Sequence, residues 1–211
     1  MPAEFQRQKR YLSLNDGLMK ERTQEGSELR HNSLYNVWLV GVTYRNVERE
    51  ENGVRKVKGE IIQLHLLDSV DYWILETWSN SAYARAFYQT MQNIYFDLPL
   101  TFTTRQKIEN GRKKPAMFVS QDGLALKWCY TKDNMQDCPP LTTSTGRDGG
   151  VVYDDTLQQI FFAGKIEDWL LPCLSKQANP FPNHPLYLGE FGKGGAVSNL
   201  VHNGEGDDLP F

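Results

Sequence analysis

Two stretches of this sequence gather cations around an Asn-Gly pair. Arg45 to Lys58 holds Arg45, Arg49, Arg55, Lys56 and Lys58 against Glu48, Glu50 and Glu51. Arg105 to Lys114 holds Arg105, Lys107, Arg112, Lys113 and Lys114 against Glu109 alone. Cations at this local density attract a polyanion even when the whole chain is near neutral, because affinity follows the local field. Trp38, Tyr44, Trp73, Trp78, Trp128 and Tyr130 lie on segments that alternate like strands. Flat rings beside cations are what a sequence-tolerant site for unpaired nucleotides needs, with stacking contributing about 1–3 kcal/mol per base. The candidate ligand-facing set is therefore Trp38, Tyr44, Trp73 and Trp128 with Arg45, Arg55, Lys56, Lys58, Arg105, Lys107, Arg112, Lys113 and Lys114. Some of these rings must serve the core instead, and a charged loop is ordinarily just solvated. The combination is more specific than either part.

A second kind of chemistry sits in Asp207, Asp208, Leu209, Pro210 and Phe211. Acids followed by an apolar Pro-Phe describe a small peptide ligand: the phenyl ring fills an apolar pocket, and the carboxylates meet basic groups around it. Residues 177–211 carry Lys193 against Glu190, Glu205, Asp207 and Asp208, which accounts for the whole formal charge of −3. The remainder of the chain is balanced. Six glycines and four prolines in that segment read as a flexible tether of low order.

Catalytic patterns are missing. There is no phosphate-binding Walker loop, no nucleophile elbow and no HExxH. Asp154-Asp155 is a carboxylate pair whose members diverge as neighbours, and Glu60 and His65 fall on opposite faces of a strand by parity. Cys129, Cys138 and Cys173 are odd in number and far apart, and no histidine lies close enough to any of them for a zinc site. The expectation is a non-enzyme with no cofactor and no metal, a metal-dependent nuclease being the remote alternative. MPAEFQRQKR lacks the apolar run of a signal peptide, and no stretch reaches the roughly 18 apolar residues that span a bilayer. A soluble protein without a membrane partner, in the cytoplasm, is expected.

These groups need positioning elements. Tyr11–Leu14 and Leu18–Lys20 flank Asp16-Gly17, a hairpin signal. Val37–Arg45, Val57–Leu66 and Val70–Trp78 read as three strands, with Gly41 marking a bend or bulge in the first. Both faces of that first strand are partly apolar, as for a strand shared by two sheets. Ser79-Asn80-Ser81 caps a helix over Ala82–Ile94. Leu98–Lys107 alternates, with Leu98, Leu100 and Phe102 inward and Thr101, Thr103, Arg105 and Lys107 outward; Ala116–Gln121 and Leu124–Thr131 follow. The basic stretches at 46–56 and 108–114 are then loops. Asp154–Lys176 reads as a helix, interrupted near Gly164 and stopped by Pro172.

Three strands, a helix and two strands is the order of the OB-fold, a five-stranded Greek-key barrel. The fold class expected is mainly β: such a barrel with one helix between strands 3 and 4, an N-terminal hairpin, a C-terminal helix and a flexible acidic tail. The expected divisions are 1–33 for the arm and hairpin, 34–135 for the barrel, 136–176 for a connector and packed helix, and 177–211 for linker and tip.

The tip Asp-Asp-Leu-Pro-Phe resembles that of bacterial and phage single-stranded DNA-binding proteins, whose tails end in aspartates, an aliphatic residue, Pro and Phe. Two aspartates stand here where many members carry three. YLSLNDGLMK at 11–20 and QDGLALKWCYTKDN at 121–134 are closer to divergent phage-encoded members, which implies the host cytoplasm. The resemblance implies coating of single-stranded DNA during replication, recombination and repair. It also implies recruitment of replication and repair proteins through Asp207, Asp208, Leu209, Pro210 and Phe211. The bacterial tetramer does not carry over, because an arm and hairpin precede the barrel here; a homo-oligomer through a sheet edge is left open. Alternatives are a replication adaptor on the same barrel and a strand-annealing protein.

Overall fold

The computed structural model describes residues 9–187 except 24, 52, 110, 147, 148 and 185. They form a mainly β body. Strand β1 (Arg10–Asn15) turns into β2 (Leu18–Arg22), and β3 (Glu28–His31) leads to the long β4 (Ser33–Glu51). β5 (Val54–Leu67) and β6 (Tyr72–Trp78) precede helix α1 (Ala82–Thr90), which ends in a 3-10 turn at Met91–Asn93. β7 (Leu100–Glu109), β8 (Arg112–Gln121) and the short β9 (Leu124–Ala125) complete a nine-stranded sheet, in the order β3-β2-β1-β6-β5-β4-β7-β8-β9. A separate hairpin, β10 (Thr142–Thr145) with β11 (Val151–Asp154), precedes the C-terminal helical segment.

Local sequence explains most of this. Asp16 and Gly17 both take positive φ (50° and 77°), so the β1–β2 link is a two-residue turn whose twist matches its strands. A side chain at position 17 would also collide with Gln106, since a Cβ there would lie 2.6 Å from the Gln106 Cβ. That close approach brings the hairpin tip onto β7. β4 is the shared strand: Ser33–Val37 pairs with β7 and Trp38–Glu51 with β5, the changeover following the β4–β7 register shift that contains Asn36, whose φ is 53°. The register shift between Leu39 and Gly41 makes Val40 the extra residue of a bulge, where the glycine signalled one. Ser81 caps α1, its hydroxyl accepting from the Ala84 N–H at 3.1 Å.

The core lies between the inner sheet face, α1 and the C-terminal helix. Leu12, Met19, Val42, Leu64, Phe87, Phe102 and Leu170 are among its members. A smaller cluster lies on the other face of β4–β5–β6, where Tyr187, Phe181 and Leu186 cover Val40, Leu67, Tyr72 and Ile74.

Several expectations change. Among the described residues the sheet is not closed: β6 has β1 as its parallel neighbour, and β8 ends against the short β9. The basic loops are not loops. β4 and β5 stay paired out to Glu51↔Val54, and β7 and β8 out to Glu109↔Arg112, so both charged stretches are two-stranded arms. Leu98 is exposed rather than inward, because β7 starts only at Leu100. The strand expected over 124–131 stops at Ala125, which separates buried Tyr130 from Trp128 at 53 % exposure. The helix neither breaks at Gly164 nor stops at Pro172. It runs as α2 (Thr156–Lys165), a π-helical turn (Ile166–Leu170) and α3 (Leu171–Lys176). The π turn lies just before Pro172, which has no N–H to donate back along the helix. The presumed low-order linker is laid on the sheet as far as Tyr187.

Candidate nucleic-acid interface

The β7–β8 arm is the part of the candidate site that the register defines best. Directly opposed residues of an antiparallel pair share a face. Arg105↔Ala116, Lys107↔Lys114 and Thr103↔Phe118 therefore form one surface, and Ile108↔Lys113 belongs to the other. Arg105, Lys107, Lys114 and Phe118 are all exposed, and the Arg105 guanidinium lies 5.8 Å from the centre of the Phe118 ring. The neighbouring strand extends the surface through Ser33↔Thr103, whose hydroxyls are 3.0 Å apart. Tyr35, two residues on, is 67 % exposed and lies in the bulge where the β4–β7 register shifts between Leu34 and Val37. Only the backbone of Arg112 is described.

Lys107 and Lys114 face each other across the ladder, a placement that costs energy unless an anion lies between them. Glu109 is that anion here, 3.8 Å from Lys107 and in direct contact with Lys114. Its carboxyl is held below the ordinary range chiefly by the Lys114 hydrogen bond. Lys113 points away from this surface and pairs with Asp16 of the β1–β2 turn at 3.4 Å.

The β4–β5 arm repeats the arrangement. Arg49 is directly opposite Lys56, and Glu51 serves both Lys56, at 3.7 Å, and Lys58, in direct contact. Lys58 holds the Glu51 carboxyl low. Arg55 is exposed and opposite Glu50. Arg45 lies nearer the body, with a guanidinium nitrogen 3.9 Å from buried Glu76.

The nominated rings fare differently. Trp73 is buried at 6 % exposure, with Arg10 stacked 3.9 Å from its ring centre and its indole N–H donating to Asp68 at 2.9 Å. Tyr44 packs on the core with its hydroxyl 3.4 Å from that of Tyr88, and burial drives its pKa far upward. Trp38 is half-buried against the cluster that holds Phe181 and Leu186. Trp128 is exposed but lies beyond β9, in a loop held by hydrogen bonds from Leu126 N–H to Val119 and from Cys129 N–H to Gln89. The structure thus brings together Arg105, Lys107 and Lys114, and separates them from Trp38, Tyr44 and Trp73.

Phe118 and Tyr35 are the rings that the sequence reading passed over. Parity could have found Phe118: within Ala116–Gln121, Met117 and Val119 take the core face and leave Phe118 with Ser120 outside. Asp207, Asp208, Leu209, Pro210 and Phe211 lie outside the described residues. No group of three or more His, Cys, Asp or Glu that could hold a metal occurs among the described residues. No helix there is long and apolar enough to cross a membrane.

Comparison with protein families, curated proteins and solved structures finds no match to this chain.

Proposed function

We propose that this protein binds single-stranded DNA along the outward face of β7–β8 and along the β4–β5 arm. We further propose that Asp207–Phe211 recruits replication, recombination or repair proteins. The observation that carries the reading is the pair of cations placed directly opposite one another on each arm, Lys107↔Lys114 and Arg49↔Lys56. Within each arm a carboxylate, Glu109 or Glu51, offsets the repulsion of the pair, and the phosphates of a strand can take its place. A phosphodiester running over the arm bridges each pair, and the rings of Phe118 and Tyr35 offer platforms for unstacked bases. A duplex buries its bases in the stack and gives these rings nothing to bind. Coating of exposed strands is the activity that such a sequence-tolerant surface would perform.

The order β4-β5-β6-α1-β7-β8, with β4 bent and shared, supports reading the body as a divergent relative of the OB-fold. In that reading the β1–β2 hairpin has taken a place beside β6 and opened the barrel. The tip's composition supports the phage-type resemblance of the sequence. The test is fluorescence anisotropy of labelled dT30 and of a 30-base-pair duplex at several salt concentrations. Preference for dT30 with a steep salt dependence is expected; equal binding of the duplex, or none of dT30, would rule the reading out.

A further inference from the structure

The β10–β11 hairpin stands apart from the nine-stranded sheet, and every residue of its two strands is exposed. A lone two-stranded hairpin is marginal in water and is normally secured by a third strand or by a helix beneath it. Thr142, Thr143 and Thr145 of β10 and Val151, Val152 and Tyr153 of β11 are residues that favour strands. Natural proteins blunt an open strand edge with lysine, proline or a bulge. β10 has none of these: its ladder to β11 runs unbroken from Thr142↔Asp154 to Thr145↔Val151. Asp154 is the one charge on either strand. Its carboxylate is turned to the start of α2, accepting from the Thr156 N–H at 2.9 Å and from the Thr156 hydroxyl at 2.6 Å. Among the described residues no strand lies beyond β10. Leu141, Val151, Val152, Tyr153, Leu157 and Ile160 are all exposed in this one stretch, whereas a surface ordinarily shows such side chains singly.

The open edge is complementary to itself. A two-fold axis perpendicular to a sheet keeps each face on its own side, so two copies of one strand pair antiparallel only with residues of like parity opposed. With the axis at Ser144, Thr143 opposes Thr145 of a second copy, and Thr145 opposes its Thr143. The new ladder then sets hydroxyl against hydroxyl, a favourable cross-strand pairing. With the axis at Thr143, Thr145 would meet Leu141 instead. Within each copy Thr143 lies beside Tyr153 and Thr145 beside Val151, so the joined hairpins carry all of these on one face of a four-stranded sheet. An unrelated strand would satisfy the backbone groups of the edge but not this match of side chains. We infer that β10 pairs with β10 of a second copy of this chain about a two-fold axis at Ser144. So short a ladder buries less than the roughly 1,200 Å² of a stable interface, which makes the dimer a weak one.

Sedimentation velocity of the full-length chain, from about 1 to about 300 µM protomer, brackets a complex of this strength. The weight-average mass should rise with concentration from that of the monomer toward that of the dimer. The double variant Thr143→Lys, Thr145→Lys opposes two pairs of lysines across the axis and should weaken association by about tenfold or more. The corresponding glutamate variant should behave alike on its own, and mixing the two variants should restore association. Both positions are exposed, so the urea midpoint should stay that of the wild type. Ser144→Cys places two thiols on the axis, where opposed Cα atoms lie about 4.5–5.5 Å apart, within disulfide reach. Oxidised glutathione should then yield a covalent dimer. Val152→Cys, one strand further out and about 14 Å from its mate, should yield none. The native Cys129, Cys138 and Cys173, none of them exposed, set the background. A chain monomeric over the whole range, or a dimer that the lysine pair leaves intact, would overturn the inference. So would a covalent dimer through Val152→Cys but not through Ser144→Cys.

Discussion

Replacing Lys107 and Lys114 together by alanine tests the geometry of the interface in numbers. The two residues face each other on β7–β8 and share the outward surface with Arg105, while Arg49 and Lys56 form the matching pair on the other arm. Five phosphates held by these five cations give a slope of log affinity against log salt of about −3.5, at roughly −0.7 per phosphate on a single strand. The double variant retains three, for a slope of about −2.1. Between 50 and 200 mM salt the wild type should lose about 130-fold in affinity for dT30 and the variant about 20-fold. Lys113→Ala is the matched control. It removes the same charge from the same arm, but Lys113 lies on the opposite face beside Asp16, so its slope should match the wild type. Anisotropy titrations at four salt concentrations supply all three slopes. Identical slopes for the double variant and the wild type, or an equal effect per charge from Lys113→Ala, would refute the argument from register.

Further expectations follow from burial and charge. Phe118→Ala, at a position 44 % exposed, should weaken dT30 binding by about 1–3 kcal/mol and leave the urea midpoint nearly unchanged. Trp73→Ala should do the reverse, costing about 3–5 kcal/mol of stability, because the ring is buried under Arg10. His65 is held down to about 4, first by burial and then by Lys9, so it stays neutral in the fold at pH values where the unfolded chain takes up a proton. Its contribution is complete above the unfolded value of 6.5 and fades as the pH falls from there toward 4. Urea denaturation should therefore show a loss of about 2 kcal/mol between pH 7 and pH 5 that His65→Gln removes; a loss of the same size in the variant would rule out His65 as its source. Deleting residues 207–211 should tighten dT30 binding at low salt and abolish capture of partner proteins, without changing the unfolding transition.

The legible parts of the fold were those written in local chemistry. Asp16-Gly17 announces a turn, Ser81 announces a cap, Gly41 announces a bulge, and each stands where expected. What the chain does at long range was not written locally. Nothing in Tyr11–Leu14 says that β1 will run parallel to β6, since that pairing depends on the curl of the whole sheet. Charge misled at the arms: runs such as Arg45–Lys58 look like loops because strands in a body alternate with apolar residues, whereas a hairpin arm with both faces in solvent need not. Within the candidate site, the cations of the second basic stretch were found by composition, and only register could divide Lys114 from Lys113. Ring type misled in turn. Trp73 and Tyr44 looked like platforms because they are large, yet large rings are also what a core most readily absorbs.

The central claim is that an unpaired strand lies across the outward face of β7–β8. Photocrosslinking with a dT30 strand carrying 5-iodouracil, followed by peptide mapping, reads that position directly. Adducts on Phe118 or Tyr35 are the predicted result, diminished in the Lys107→Ala, Lys114→Ala double variant. Adducts confined to Trp128 or to the β10–β11 hairpin, with none on β7–β8, would contradict it.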